Sequence, residues 1–174
     1  MKMTMKASLV PVLAVAAVCW GTTLAAQDQE EERNPAAAAK AALSARVSLD
    51  RGLAASASHG RPISAKFEID EGKAQLSVYT MKGGKFFEVS IDPNSGAVVK
   101  TEPIVEGEDY TAAQSQSAAM AKAKVSLRAA VATAVRGNAG FRAFSVTPSL
   151  KDGHALAEVA LAKGEEVKTV SVPL

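Results

Sequence analysis

The sequence predicts an α+β protein made of two tandem small units, each a helix packed on an antiparallel sheet of three to four strands. Three observations predict it. A serine-capped helical pattern with an alanine-rich lead occurs twice. Each occurrence is followed by segments that alternate apolar and polar residues. The two series match one another at a nearly constant offset.

The match begins with Ala45-Arg46-Val47-Ser48-Leu49 on Ala123-Lys124-Val125-Ser126-Leu127, an offset of 78 that also carries Leu53 onto Val131 and Ala65 onto Ala143. A three-residue insertion then shifts the offset to 81, aligning Val78 with Val159, Lys82-Gly83 with Lys163-Gly164, and Val89-Ser90-Ile91 with Val170-Ser171-Val172. Alanine-rich composition alone does not yield helix start, turn, turn and strand in the same order twice.

Ahead of the repeats, Lys2 and Lys6 precede the apolar run Leu9 to Val18, and no acid occurs before Asp28. That run is shorter than a bilayer span and is followed by small residues at Thr23, Ala25 and Ala26. Residues 1–26 therefore read as a signal peptide cleaved after Ala25 or Ala26, which places the protein in the periplasm or the secreted fraction; a retained anchor is the alternative. Cys19 does not read as a lipidation site, because Val18 stands where processing needs a small residue. Residues 27–35 (QDQEEERNP) read as an acidic tether, and 104–111, with Glu106-Gly107-Glu108-Asp109, as an acidic linker. They set off units at 36–103 and 112–174, the second shorter.

Within each unit the elements follow in order. Ser48 and Ser126 suit the N-cap of a helix carrying Leu49, Leu53 and Ala57, or Leu127, Val131 and Val135, on one face. His59-Gly60 and Arg136-Gly137 supply a cationic last turn and a glycine stop. The alanine runs 36–42 and 118–123 predict a helical arm before each cap. Ile63, Ala65, Phe67 and Ile69 alternate with Ser64, Lys66, Glu68 and Asp70, the pattern of a strand with one wet face. Turns follow at Asp70-Glu71-Gly72-Lys73 and Lys82-Gly83-Gly84, with strands through Leu76–Val78 and Phe87–Ile91. Asp92-Pro93-Asn94-Ser95-Gly96 turns the chain into a short strand at 97–99. In the second unit Phe144 and Val146 fall out of alternation with Phe141 and Ala143, so a bulge, or an insertion near Pro148, is expected there.

The serine-capped V-S-L helix start, the sheet of about three strands and the ending Phe87-Glu88-Val89-Ser90-Ile91-Asp92-Pro93-Asn94-Ser95-Gly96-Ala97-Val98 resemble the PepSY domain. The resemblance covers about residues 40–103 and, more weakly, 118–174, where the closing turn and last short strand are missing. It implies an extracytoplasmic, non-catalytic module that binds a protein or extended peptide, with regulation or inhibition of an envelope or secreted peptidase as the implied role. It brings no catalytic residues and no cofactor.

The residues themselves point the same way. Without the signal peptide the chain has no cysteine, and 18 cations face 18 acids, which removes thiol chemistry and the electrostatic argument for nucleic acid. His59 and His154 fall in different structural contexts, a helix end and a turn, so no catalytic or metal site is expected from them. Glu30-Glu31-Glu32 is contiguous rather than spaced as a calcium loop, and Lys82-Gly83-Gly84-Lys85 joins two strands rather than cradling a phosphate. Phe86 falls opposite Phe87 on the outer sheet face near Tyr79. There the pair either grips a partner or packs under the alanine-rich arm or the second repeat. The rival reading is a small-molecule or metal-responsive envelope sensor.

Overall fold

The computed structural model describes residues 34–174. The signal peptide, Cys19 and nearly all of the acidic tether lie outside the described residues. Asn34 opens helix α1 (Pro35–Ser44) by accepting hydrogen bonds at its side-chain oxygen from the amides of Ala36 (3.0 Å) and Ala37 (3.3 Å), with Pro35 at the first helical position. Ser48 caps α2 (Leu49–Ala55) by accepting from the Arg51 amide at 3.2 Å, and a 3₁₀ turn (Ser56–His59) follows. Such caps are worth about 1 kcal/mol each. Gly60, at φ 148°, then lets the chain enter the sheet close to the Met81 carbonyl, which a Cβ would approach to 3.0 Å.

Four strands come next: β1 (Arg61–Asp70), β2 (Lys73–Lys82), β3 (Lys85–Ile91) and β4 (Val98–Ile104). Glu71 and Gly72 both take positive φ between β1 and β2, the tight-turn geometry expected at that place. Between β3 and β4, Asp92 accepts from the amides of Asn94 (3.1 Å) and Ser95 (2.7 Å) and from the Ser95 hydroxyl (2.8 Å). The backbone bond from Ser95 is the main reason its carboxyl titrates below the usual range. The second half repeats the series as α3 (Gly107–Lys122), α4 (Leu127–Arg136), β5 (Arg142–Lys151), β6 (His154–Lys163) and β7 (Glu166–Pro173). Ser126 caps α4 as Ser48 caps α2. The stop differs: Gly137 is right-handed at φ −73°, and it is Gly140 that adopts positive φ, at 81°.

The fold is α+β, and its seven strands form one antiparallel sheet in the order β4-β3-β2-β1-β5-β6-β7 rather than two separate sheets. The halves join where β1 meets β5, through Ala65 opposite Val146 and Lys66 opposite Ser145. Bulges interrupt β1 between Pro62 and Ser64 and β5 between Ala143 and Ser145. These match at an offset of 81, so the three-residue insertion lies in the loop before β5, and the structural counterpart of Ala65 is Val146, not Ala143. The bulge at Phe144 restores the alternation; Pro148 sits inside β5, opposite Ala157. Ala65 and its counterpart thus face each other across an approximate two-fold relation. Asp50 and Arg128, counterparts 78 residues apart, do the same on α2 and α4 in a bidentate pair at 2.8 and 3.0 Å.

Two further expectations are corrected. The linker 104–111 has no separate existence: Ile104 ends β4, and 107–111 form the first turn of α3, where Glu108 and Asp109 favour the positive end of the helix. The wet face of β1 is not wet, because α3 crosses it. Gln116 accepts a 2.8 Å bond from the Ser64 hydroxyl, and Ser64 and Glu68 are buried.

The opposite sheet face carries Phe67, Leu76, Val78, Val89 and Ile91 under Leu49 and Leu53 of α2. Here Gly52 lies directly on Leu76; a Cβ would fall 2.2 Å from Leu76 Cδ2. Their counterparts are Ala130 and Ala157, a second solution to the same volume. Gly52→Ala is expected to lose roughly 1–3 kcal/mol by overpacking, against a gain of up to about 1 kcal/mol in helix propensity. Leu76→Ala should cost about 2–5 kcal/mol in the native background and distinctly less beside Gly52→Ala. Urea unfolding of the four proteins measures that coupling, and additive losses would refute the contact.

Candidate functional site

Three places on the fold are candidate sites: the outer sheet face predicted from Phe86 and Tyr79, the free sheet edge, and the clefts that flank the junction of the halves.

The outer face is occupied. Tyr79 and Phe86 retain 6% and 9% of their exposure, and Tyr110 of α3 meets Phe86 edge-to-face with ring centres 5.6 Å apart. The expectation that these two residues grip a partner at an exposed surface is therefore corrected: α3 sits on them. The Tyr79 hydroxyl donates to Asp109 of the same helix, and burial, then that bond, raises its titration far above the ordinary tyrosine value. Beside it lies a polar cluster that alternation in the sequence assigned to solvent. The Ser77 hydroxyl bonds the Glu68 carboxylate, and its oxygen is 2.6 Å from Glu88 Oε1; Gln75 donates to both Ser77 (2.8 Å) and Glu68 (3.3 Å). Lys66 pairs with Glu68.

One hydroxyl has one proton to give, so Ser77 can serve only one of the two carboxylates as donor at a time. Burial, reinforced by the neighbouring Glu68 charge and partly offset by the Ser77 bond, raises the Glu88 pKa.

The edge at β7 is set by the same register that builds the hairpin. The Leu174 amide donates to the Ala155 carbonyl at 3.0 Å, and antiparallel strands alternate bonded and non-bonded pairs. Counting back, Val167, Thr169 and Ser171 point their amides away from β6. No strand among the described residues receives them. The opposite edge, β4, carries Pro103, and a register shift at Ser90/Ile91 interrupts its pairing with β3.

The clefts are counterparts of one another. One, of about 380 Å³, lies between the 3₁₀ turn, the start of β1 and the start of α4. The other, of about 230 Å³, lies between α4, the start of β5 and the start of α2. Leu53, Ala57 and Arg61 line the first, where Val131, Val135 and Arg142 line the second. They differ in charge. Arg128 and Lys124 stand at the first, whereas Asp50, the counterpart of Arg128, stands at the second. Arg61 donates to the Met120 carbonyl at 3.4 Å and Arg142 to the Val47 carbonyl at 2.6 Å, so each arginine reaches into the other half. Sequence reasoning missed the clefts because each one joins residues of both halves.

The histidines remain apart. His59 Nδ1 is 3.2 Å from the Thr101 hydroxyl of β4, and His154 opens β6 opposite Lys151. Among the described residues no three His, Cys, Asp or Glu side chains gather as a metal site, and no helix is long and apolar enough to cross a membrane. Glu30, Glu31 and Glu32 lie outside the described residues.

No protein-family model matches the chain, and no curated protein matches it in sequence. A solved structure described as a "putative lipoprotein" from Clostridium difficile is similar to it at a TM-score of 0.37 and 14% identity, over 64% of this chain and 74% of that one.

Two outcomes are expected from the face beneath α3. Phe86→Ala should cost roughly 3 kcal/mol of stability, the penalty of a buried aromatic, as read by urea unfolding. Because the folded chain holds the Glu88 proton more tightly than the unfolded one, the contribution of Glu88 to stability is fully present below the ordinary glutamate pKa of about 4.3 and is lost as pH rises through the raised folded value. Melting temperatures of Glu88→Gln should lack that fall. A parallel pH profile for the variant and the native chain would place the proton elsewhere.

Proposed function

We propose that the protein is an extracytoplasmic, non-catalytic binding module that takes up an extended segment of another protein as an added strand beside β7. The supporting observation is the row of outward amides at Val167, Thr169 and Ser171 on a strand whose pairing with β6 is free of bulges. An open edge of this kind is a template for backbone pairing, which takes a segment by its conformation and needs no catalytic group. The export-signal pattern of residues 1–26 and the PepSY-like ending of the first half support the compartment and the class of partner, a peptidase among the candidates.

In this reading the residues of β7 divide the work. Backbone groups at Val167, Thr169 and Ser171 supply affinity, and the side chains beside them, including the exposed Val167, select which segments fit. Glu166 and Lys168 bring both signs of charge to the same strand and disfavour indiscriminate pairing of the chain with itself.

Thr169→Pro tests it, because proline deletes the outward amide while the amides that pair with β6 belong to the neighbouring residues. The variant should keep its melting temperature and lose capture of extended peptides from a displayed library by at least tenfold. It should likewise lose any inhibition the native chain exerts on a thermolysin-type peptidase. Equal capture by native chain and variant would overturn the proposal.

A further inference from the structure

The larger cleft beside α4 has the features of a small-ligand site that its smaller counterpart lacks. Its volume, about 380 Å³, falls within the range of ligand-binding cavities, roughly 300–1,000 Å³, and that of the other cleft, about 230 Å³, falls below it. Leu53, Ala57, Pro62 and Val125 give it an apolar lining, and Val125 is an exposed hydrophobic residue at 40%.

Charge completes the picture. Arg61, Lys124 and Arg128 line this cleft and no acidic residue does. Arg128 is committed to Asp50, which lies on the far side, in the other cleft. Lys124 makes no hydrogen bond or ion pair among the described residues, and Arg61 uses one of its five N–H groups, on the Met120 carbonyl. The amides of Leu127 and Arg128 open α4 next to these cations, since the bonds of its first turn begin at Ala129 and Ala130. An apolar floor under two cations that have no acidic partner complements a molecule with one anionic group and a hydrocarbon body.

We propose that this cleft binds a single-chain amphipathic carboxylate of medium length, its carboxylate held by Arg61 and Lys124 and its chain lying on Ala54, Ala57 and Val125. At roughly 30 Å³ per small group, the share of a water molecule in the liquid, the cleft holds about a dozen heavy atoms, the size of decanoate. The site is independent of the β7 edge: no residue is shared between them.

Calorimetric titration of the purified chain with octanoate, nonanoate and decanoate, all below their micelle concentrations, is the test. Affinity should rise about fourfold per added methylene until the cleft is full. Decanol and decylammonium should bind at least tenfold more weakly than decanoate. Lys124→Glu, on an exposed side chain, should lower decanoate affinity at least tenfold with an unchanged melting temperature. Ala57→Phe should fill the cleft and abolish binding with all three cations in place. Equal affinity for decanoate and decylammonium, or undiminished binding by both variants, would overturn the proposal. So would sedimentation with phosphatidylglycerol vesicles without binding of free decanoate, which would assign the cations to a membrane surface instead.

Discussion

The pairing of β1 with β5 is the contact on which the remaining architecture depends. Only two residue pairs form its register, Ala65 with Val146 and Lys66 with Ser145, yet through them seven strands share one sheet and one core. Two pairs of strand contact are a weak bond by themselves. The junction is held from outside the ladder: α2 and α4 meet through Asp50 and Arg128, α3 crosses both central strands, and Arg61 and Arg142 each bond a carbonyl of the opposite half. The exposed Asp50–Arg128 pair is worth at most about 1 kcal/mol, so burial of Val146, Ala65 and their neighbours carries most of the energy.

An approximate two-fold relation places counterparts against each other, and that has chemical consequences. Two identical residues at the position of Asp50 and Arg128 would repel; the opposite charges found there turn a like-charge contact into a bidentate bond. Gly52 with Leu76 and Ala130 with Ala157 show the same freedom in the core, where one half pairs no side chain with a large one and the other pairs two small ones. The same divergence leaves one cleft open and cationic and its counterpart smaller and of mixed charge.

The face under α3 carries a different tension. Glu68 and Glu88 lie close together on it, with Ser77 between them, and a buried carboxylate without compensation is costly. The cluster offsets that cost with Lys66 on Glu68, the Ser77 hydroxyl between the carboxyls, and a Glu88 pKa raised by burial. The apolar face under α2 has no comparable group among its buried residues.

Local structure was determined by the sequence alone. Ser48 and Ser126 cap helices because an N-terminal amide needs an acceptor, Glu71-Gly72 and Asp152-Gly153 turn because two residues must take positive φ, and strands such as β1 announce themselves by alternation, which the bulge at Phe144 breaks in β5. These signals are short-range, and they suffice for α+β. Tertiary structure alone decided what lies against each face. Ser64, Lys66 and Glu68 alternate as a solvated face should, and only the path of α3 buries Ser64 and Glu68; Phe86 and Tyr79 lose their exposure to the same helix. The place of the insertion also needed the structure, because alanines at Ala65 and Ala143 mimic a correspondence that the bulges assign to Val146. The cationic cleft was out of reach for a further reason. It unites Arg61 of one half with Lys124 of the other, and a pattern read along the chain carries no record of which distant segments the sheet will bring together.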